Sequence, residues 1–93
     1  MVAWIGSANH DEAQFPAADT FQLDRTPNRH LAFGQGIHFC LGAPLARLEA
    51  RIALTQMLER MRTIRLAPGT QIQRVPSTLV YGLESLPLEV EEG

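Results

Sequence analysis

The chain has 93 residues, of which 45% are hydrophobic and 19% are charged, and its formal net charge is −2. This length gives room for one small domain with a modest core. The slightly acidic balance gives no electrostatic reason to expect a nucleic acid partner, and no apolar run is long enough to suggest a membrane partner. A single cysteine excludes an internal disulfide and suits a reducing compartment such as the cytoplasm.

The first 41 residues show little periodicity. Residues 2–5 predict a short strand that Gly6 closes, and residues 7–41 carry no sustained helix or strand pattern. Pro16 and Pro27 instead favour turns in this segment. A structureless stretch of this length argues against an autonomous fold unless it wraps something such as a cofactor. We therefore expect the chain to lack its proper N-terminus and to belong to a larger body.

The second half of the chain carries the regular elements. Residues 44–61 predict a helix, because Pro44 suits a first helical turn and apolar residues follow at helical spacing. These residues form two apolar faces, which imply neighbours on two sides. The faces are Leu45, Leu48 and Ile52 on one side and Ala46, Ala50, Ala53, Met57 and Met61 on the other. Residues 63–66, 78–83 and 86–90 predict three strands, with a turn at Glu84-Ser85 between the last two.

The single cysteine lies in the run Phe33-Gly34-Gln35-Gly36-Ile37-His38-Phe39-Cys40-Leu41-Gly42. A free cysteine is mostly protonated at neutral pH, so a thiolate ligand needs surroundings that favour the anion. Cys40 lies just before the predicted helix, and the unpaired N–H groups and positive dipole end of a helix stabilise nearby negative charge. The position of Cys40 before the helix therefore favours its thiolate form.

Two other interpretations of Cys40 compete with this one. A lone cysteine in a soluble chain is most often a buried structural thiol. His30, His38 and Cys40 could instead form a zinc site, although a second cysteine and the usual ligand-pair spacings are missing. Taken alone, His38 and His10 are ordinary histidines, and His30 is a candidate cap for a turn near the loop.

The run around Cys40 resembles, position for position, the pattern Phe-x-x-Gly-x-(Arg/His)-x-Cys-x-Gly of the haem-thiolate loop of cytochrome P-450 monooxygenases. The resemblance implies that Cys40 is the axial ligand to the iron of haem b. It also implies that Phe33 covers the sulfur from water and that His38 donates to a haem propionate. Gly36 and Gly42 allow positive φ and a close approach of the backbone to the flat macrocycle, where a Cβ would collide. The haem-contacting positions implied by the family are Phe33, Gly34, Gly36, His38, Leu41, Gly42 and Ala46.

The similarity continues on both sides of the loop. The segment before it, which starts at Ser7-Ala8-Asn9-His10-Asp11, resembles that of soluble bacterial members, with His10 and Gln22 where Arg and Asp are more common. The implied fold is mainly α with a small β part, and residues 1–93 are expected to form the C-terminal haem-binding portion of the domain. The long oxygen-binding helix and the Glu-x-x-Arg helix of the family are not found. Glu59 and Arg62 have that spacing but follow the cysteine, which we interpret as coincidence.

The family resemblance implies an oxidoreductase, a haem-thiolate monooxygenase. Such an enzyme inserts one oxygen atom of O₂ into a small organic substrate, with electrons from a ferredoxin or flavoprotein. Leu79 and Val80 resemble the tip of a late hairpin that reaches the substrate, although ordinary sheet burial is the simpler interpretation. Arg47 is a candidate contact for an acidic electron donor.

Most of the family's catalytic apparatus is absent from these 93 residues, so we do not expect them to be catalytically competent alone. The distal parts would come from another chain, such as the missing N-terminal part of the same enzyme. Two alternatives remain open. One is a remnant that binds haem loosely and shows only weak peroxidase turnover. The other is a haem-free fragment whose two-faced helix docks on another protein.

Overall fold

The computed structural model describes residues 1–93, which divide into two units, Met1–Ala43 and Pro44–Gly93. The regular elements are helix α1 (Ile5–Ala8), a 3-10 turn (Gly36–His38), helix α2 (Ala43–Arg60) and the strands β1 (Met61–Leu66) and β2 (Leu88–Glu92). The predicted order is confirmed: an irregular segment, the cysteine loop, one long helix and short antiparallel strands. No helix has the length and apolar character needed to cross a membrane.

Residues 1–4 have no regular structure and helix α1 begins at Ile5, so the predicted strand at residues 2–5 is wrong. The amide of Ala8 donates to the carbonyl of Trp4 and that of Asn9 to the carbonyl of Ile5, both at 3.0 Å. The pattern of a short apolar run cannot distinguish a strand from a helical turn. Here these two backbone hydrogen bonds make the segment a helical turn. Asn9 ends the helix as its C-cap.

The irregular part of the first unit is organised by one arginine and one phenylalanine. The guanidinium of Arg25 donates to three backbone carbonyls, those of Pro16 at 2.9 Å and of Ala17 and Thr20 at 3.1 Å. Phe15 lies beside this turn in sequence and is the one large side chain that is buried, with 6% of its surface exposed. Side-chain bonds to backbone thus replace the periodic bonds that the segment lacks.

Helix α2 confirms the predicted helix within one residue at each end. Pro44 occupies its first turn, where a missing N–H costs nothing. Large apolar side chains stay exposed along it, with 58% exposure at Leu45, 54% at Ile52 and 74% at Leu58. A helix with apolar residues exposed around its surface needs apolar neighbours to stabilise it.

The second unit continues into a two-stranded antiparallel ribbon of β1 and β2. The pairs Ile64↔Val90 and Leu66↔Leu88 place four apolar side chains on one face of the ribbon. The predicted strand at residues 63–66 is confirmed and begins two residues earlier. The strand predicted at 86–90 exists but begins at Leu88, because Pro87 has no N–H for the ladder and only its carbonyl pairs, accepting from Ala67 at 3.1 Å.

The strand predicted at residues 78–83 is wrong. One isolated bridge joins Arg74 to Leu83, and two backbone bonds flank it, from Val75 to Gly82 at 3.1 Å and from Glu84 to Gln73 at 3.0 Å. The chain between these pairs turns instead of extending. With that strand absent, the proposed turn at Glu84-Ser85 does not join two strands, and only a bend is present at Glu84.

Candidate functional site

The cysteine loop is closed by backbone hydrogen bonds at both of its ends. The amide of Cys40 donates to the carbonyl of Phe33 at 2.8 Å, which joins the first residue of the motif to the cysteine. The amide of Gly34 donates to Leu31 at 2.9 Å, and the amide of Phe39 donates to Gly36 at 3.1 Å within the 3-10 turn. The backbone position of Cys40 is therefore set by Phe33.

Two glycines give the loop its shape. Gly34 and Gly36 have φ values of 73° and 75°, a region that costs a residue with a Cβ about 1–2 kcal/mol. A Cβ added at Gly36 would have no atom within 4 Å, so it would project into open space. Gly36 uses the positive φ that a glycine allows, whereas Gly42 does not adopt the left-handed conformation. At Gly42 an added Cβ would lie 3.8 Å from the Cys40 sulfur, an ordinary contact.

Three aromatic rings, those of His30, Phe33 and Phe39, lie in the cysteine loop or just before it. The ring centroids of Phe33 and Phe39 are 6.4 Å apart in an edge-on arrangement, and those of His30 and Phe33 are 5.9 Å apart. The side chain of Phe33 is half-buried, and 46% of Phe39 is exposed. The ring of Phe33 therefore has one edge-on and one tilted aromatic neighbour, at distances typical of favourable ring pairs.

Cys40 is a free, exposed cysteine. Its exposure contradicts the interpretation as a buried structural thiol. No group of three or more His, Cys, Asp or Glu side chains lies close enough together to hold a metal ion, so His30, His38 and Cys40 do not form the zinc cluster considered above. The apolar neighbours Ile37 and Leu41 are 96% and 98% exposed. An exposed thiol among exposed apolar side chains suits a large apolar group with a metal centre.

The remaining predicted positions lie in the second unit. Ala46 and Arg47 are on the first turns of α2, and both are exposed. Leu79 and Val80 are 93% and 57% exposed at the tip of the loop after Val75, so ordinary sheet burial does not describe them. Their amides both donate to the hydroxyl of Ser77 at 3.1 Å, which fixes the tip locally.

Asn9 and Arg25 make structural contacts that the sequence alone does not predict. The Asn9 side chain accepts the amide of Leu31 at 2.7 Å across 22 positions of sequence. Arg25 makes the three carbonyl contacts described above. Neither bond leaves a periodic signature in the sequence.

The cytochrome P450 family model matches residues 1–91, and the chain belongs to this family. It is 51% identical over 89 residues to the mycinamicin IV hydroxylase/epoxidase of Micromonospora griseorubida, a match that covers 95% of this chain and 22% of that protein. The chain thus spans about 22% of the length of the curated relatives it matches.

Solved structures of the family show the same arrangement. Substrate-free CYP109E1 of Bacillus megaterium matches with a TM-score of 0.87 and 44% identity, over 97% of this chain and 23% of that chain. The same enzyme in complex with testosterone matches with a TM-score of 0.82 and 47% identity, over 91% of this chain and 24% of that chain.

Proposed function

We propose that these 93 residues are the C-terminal haem-binding portion of a cytochrome P-450 monooxygenase and that Cys40 supplies the thiolate ligand of its haem iron. The observation that carries the proposal is the exposed Cys40 thiol at the end of a loop closed by the 2.8 Å bond to Phe33. Family membership supports the same assignment. The group would be haem b, which the motif around Cys40 favours.

The backbone of the loop supports this assignment. The positive φ of Gly34 and Gly36 turns the backbone, and the open space beside Gly36 leaves room for close approach. The exposed side chains of Ile37, Phe39 and Leu41 offer apolar contacts to a porphyrin. The residues that would hold the haem are Phe33, Gly34, Gly36, His38, Leu41, Gly42 and Ala46, with His38 donating to a propionate.

When bound, haem with a thiolate ligand supplies the activation of dioxygen. The task of this chain is to present the sulfur to the iron and to shield it from water. Phe33 would do the shielding; the backbone bond from the Cys40 amide to the Phe33 carbonyl and the half-buried state of Phe33 support this role. The fixed donor and acceptor groups of the loop need no rearrangement for this task.

The activity of the whole protein would be insertion of an oxygen atom into a small organic substrate. A steroid-sized substrate is one candidate, because the CYP109E1 structure that the chain resembles contains testosterone. Leu79 and Val80 would contact the substrate from the exposed loop tip, and Arg47 would contact an acidic ferredoxin or flavoprotein. Most of the substrate cavity would come from the other three-quarters of the fold, consistent with the small buried core of this chain.

The proposal is tested in a hybrid enzyme, in which this chain replaces the matching segment of the Micromonospora relative. The reduced carbon monoxide complex of the hybrid is expected to show a strongly red-shifted Soret band. Cys40→Ser should lose that shift, whereas the matched exposed-site variant Ser85→Ala should keep it. An unshifted band in the hybrid, or a shifted band in Cys40→Ser, would overturn the assignment.

Haem titration of the 93-residue chain alone tests the alternative of a loosely binding remnant. If the isolated chain binds haem with an unshifted band while the hybrid is shifted, Cys40 needs the rest of the fold to act as a ligand. This separates a missing partner from a wrong ligand assignment.

A further inference from the structure

Two consecutive backbone amides just before the cysteine loop are bound by side chains and not by a helix or strand. The amide of Leu31 donates to the Asn9 side-chain oxygen at 2.7 Å, and the amide of Ala32 donates to Nδ1 of His30 at 3.3 Å. Both bonds lie within the first unit. Since the segment has no regular partner, these two side chains are what fix its course.

His30 also contacts the residue to which Cys40 is bonded. Its ring lies 5.9 Å from the ring of Phe33, and the carbonyl of Phe33 accepts the amide of Cys40 at 2.8 Å. A short path of contacts therefore runs from His30 through Phe33 to Cys40. To accept the Ala32 amide, Nδ1 of His30 carries no hydrogen, so the ring donates only through Nε2.

We propose that Asn9 and His30 are positioning residues for Cys40, acting together through residues 31–33. Asn9 holds the segment to the end of α1, and His30 holds the turn and packs on Phe33. The proposal rests on the assignment of Cys40 as the haem ligand, and it adds that the ligand's placement depends on two polar side chains outside the motif. Removing either acceptor should loosen the Phe33–Cys40 bond without touching the thiol.

Four variants of the hybrid enzyme separate the contributions. His30→Phe keeps a ring against Phe33 but removes the acceptor of the Ala32 amide. His30→Asn removes the ring, but its side-chain oxygen can still accept the amide of the residue two positions later, Ala32. Asn9→Leu removes the other acceptor at similar size. His10→Phe is the matched control, because exposed His10 also bonds backbone, to the Gly6 carbonyl at 2.8 Å, but lies outside this path.

The first measurement is hydrogen exchange of the Cys40 amide in the haem-free hybrid, which needs no cofactor. Loss of one hydrogen bond corresponds to a roughly twofold to tenfold change in an opening equilibrium, so exchange should accelerate by about that factor in His30→Phe and Asn9→Leu. His30→Asn should exchange more slowly than His30→Phe, and His10→Phe should match the unsubstituted hybrid. Unchanged exchange in His30→Phe and Asn9→Leu, or equal acceleration in His10→Phe, would overturn the proposal.

The second measurement is the fraction of red-shifted band in the reduced carbon monoxide complex, taken beside the melting temperature. We expect that fraction to fall in His30→Phe and Asn9→Leu and to recover in His30→Asn, even where melting temperatures are equal. A full red-shifted band in both acceptor-free variants would refute the positioning role while leaving Cys40 as the ligand. A hybrid without any shifted band would refute the ligand assignment, and the exchange rates would still decide the contacts.

Discussion

Replacing Gly36 by alanine is a sharp test of the proposed haem face, because the chain contains a matched glycine elsewhere. Gly36 and Gly69 have φ values of 75° and 74°, and an added Cβ at either position would have no atom within 4 Å. A substitution by alanine should therefore introduce the same backbone strain at each position and lower stability by about 1–2 kcal/mol. Gly36 lies in the cysteine loop, whereas Gly69 lies in the turn after β1.

The two substitutions should differ in haem affinity. If the macrocycle lies in the open space beside Gly36, a new methyl group there creates an overpacked contact worth about 1–3 kcal/mol, or roughly fivefold to a hundredfold in haem affinity. Gly69→Ala should leave haem affinity unchanged. Both variants should lower the melting temperature of the hybrid enzyme by a similar amount.

Haem titration by absorbance, run on both variants beside thermal unfolding, gives the comparison. Equal haem affinity in Gly36→Ala and Gly69→Ala, with equal melting temperatures, would refute the placement of haem beside Gly36. A loss of affinity in both would mean that backbone strain alone, and not contact with the macrocycle, explains the effect.

Further predictions concern the contacts that stabilise each unit from within. Arg25→Leu should destabilise the hybrid by roughly 1–2 kcal/mol, because it removes three exposed hydrogen bonds from a charged donor to backbone carbonyls. Arg65→Leu should change the free energy of unfolding by less than about 1 kcal/mol, because its 2.8 Å ion pair with Glu89 is exposed. Denaturant unfolding in which Arg65→Leu lowers stability more than Arg25→Leu would contradict this ranking. Phe15→Ala should cost about 3–5 kcal/mol as the loss of a buried ring. Phe21→Ala, at a ring that is 88% exposed, should stay within about 0.5 kcal/mol, and equal melting temperatures for the two would count against Phe15 as the core of the first unit.

The features that the sequence predicted well are those with a strong local pattern. The helix after the cysteine has helical spacing over its whole length and a proline at its start, so its ends were predicted within one residue. The motif around Cys40 requires particular residue types at several of its positions. In the structure it forms a loop that the Cys40–Phe33 hydrogen bond closes. Its haem ligation stays a prediction.

The features that the sequence missed are short segments without a decisive pattern and one contact between distant residues. Residues 2–5 are too few to distinguish a strand from a helical turn by pattern. Residues 78–83 have strand-forming composition, but the serine hydroxyl of Ser77 captures two amides that a strand would need. The bond from Leu31 to Asn9 spans 22 positions, and no local rule predicts such a pairing. Gly42 shows that a motif glycine need not adopt positive φ.

The central claim is that the sulfur of Cys40 binds the haem iron. Iron-edge X-ray absorption of the haem-loaded hybrid enzyme measures the atoms bonded to that iron directly. We predict one sulfur ligand in the hybrid, replaced by a lighter atom in Cys40→Ser while His10→Phe keeps the sulfur. A spectrum without sulfur in the hybrid, or one in which Cys40→Ser retains it, would contradict the account.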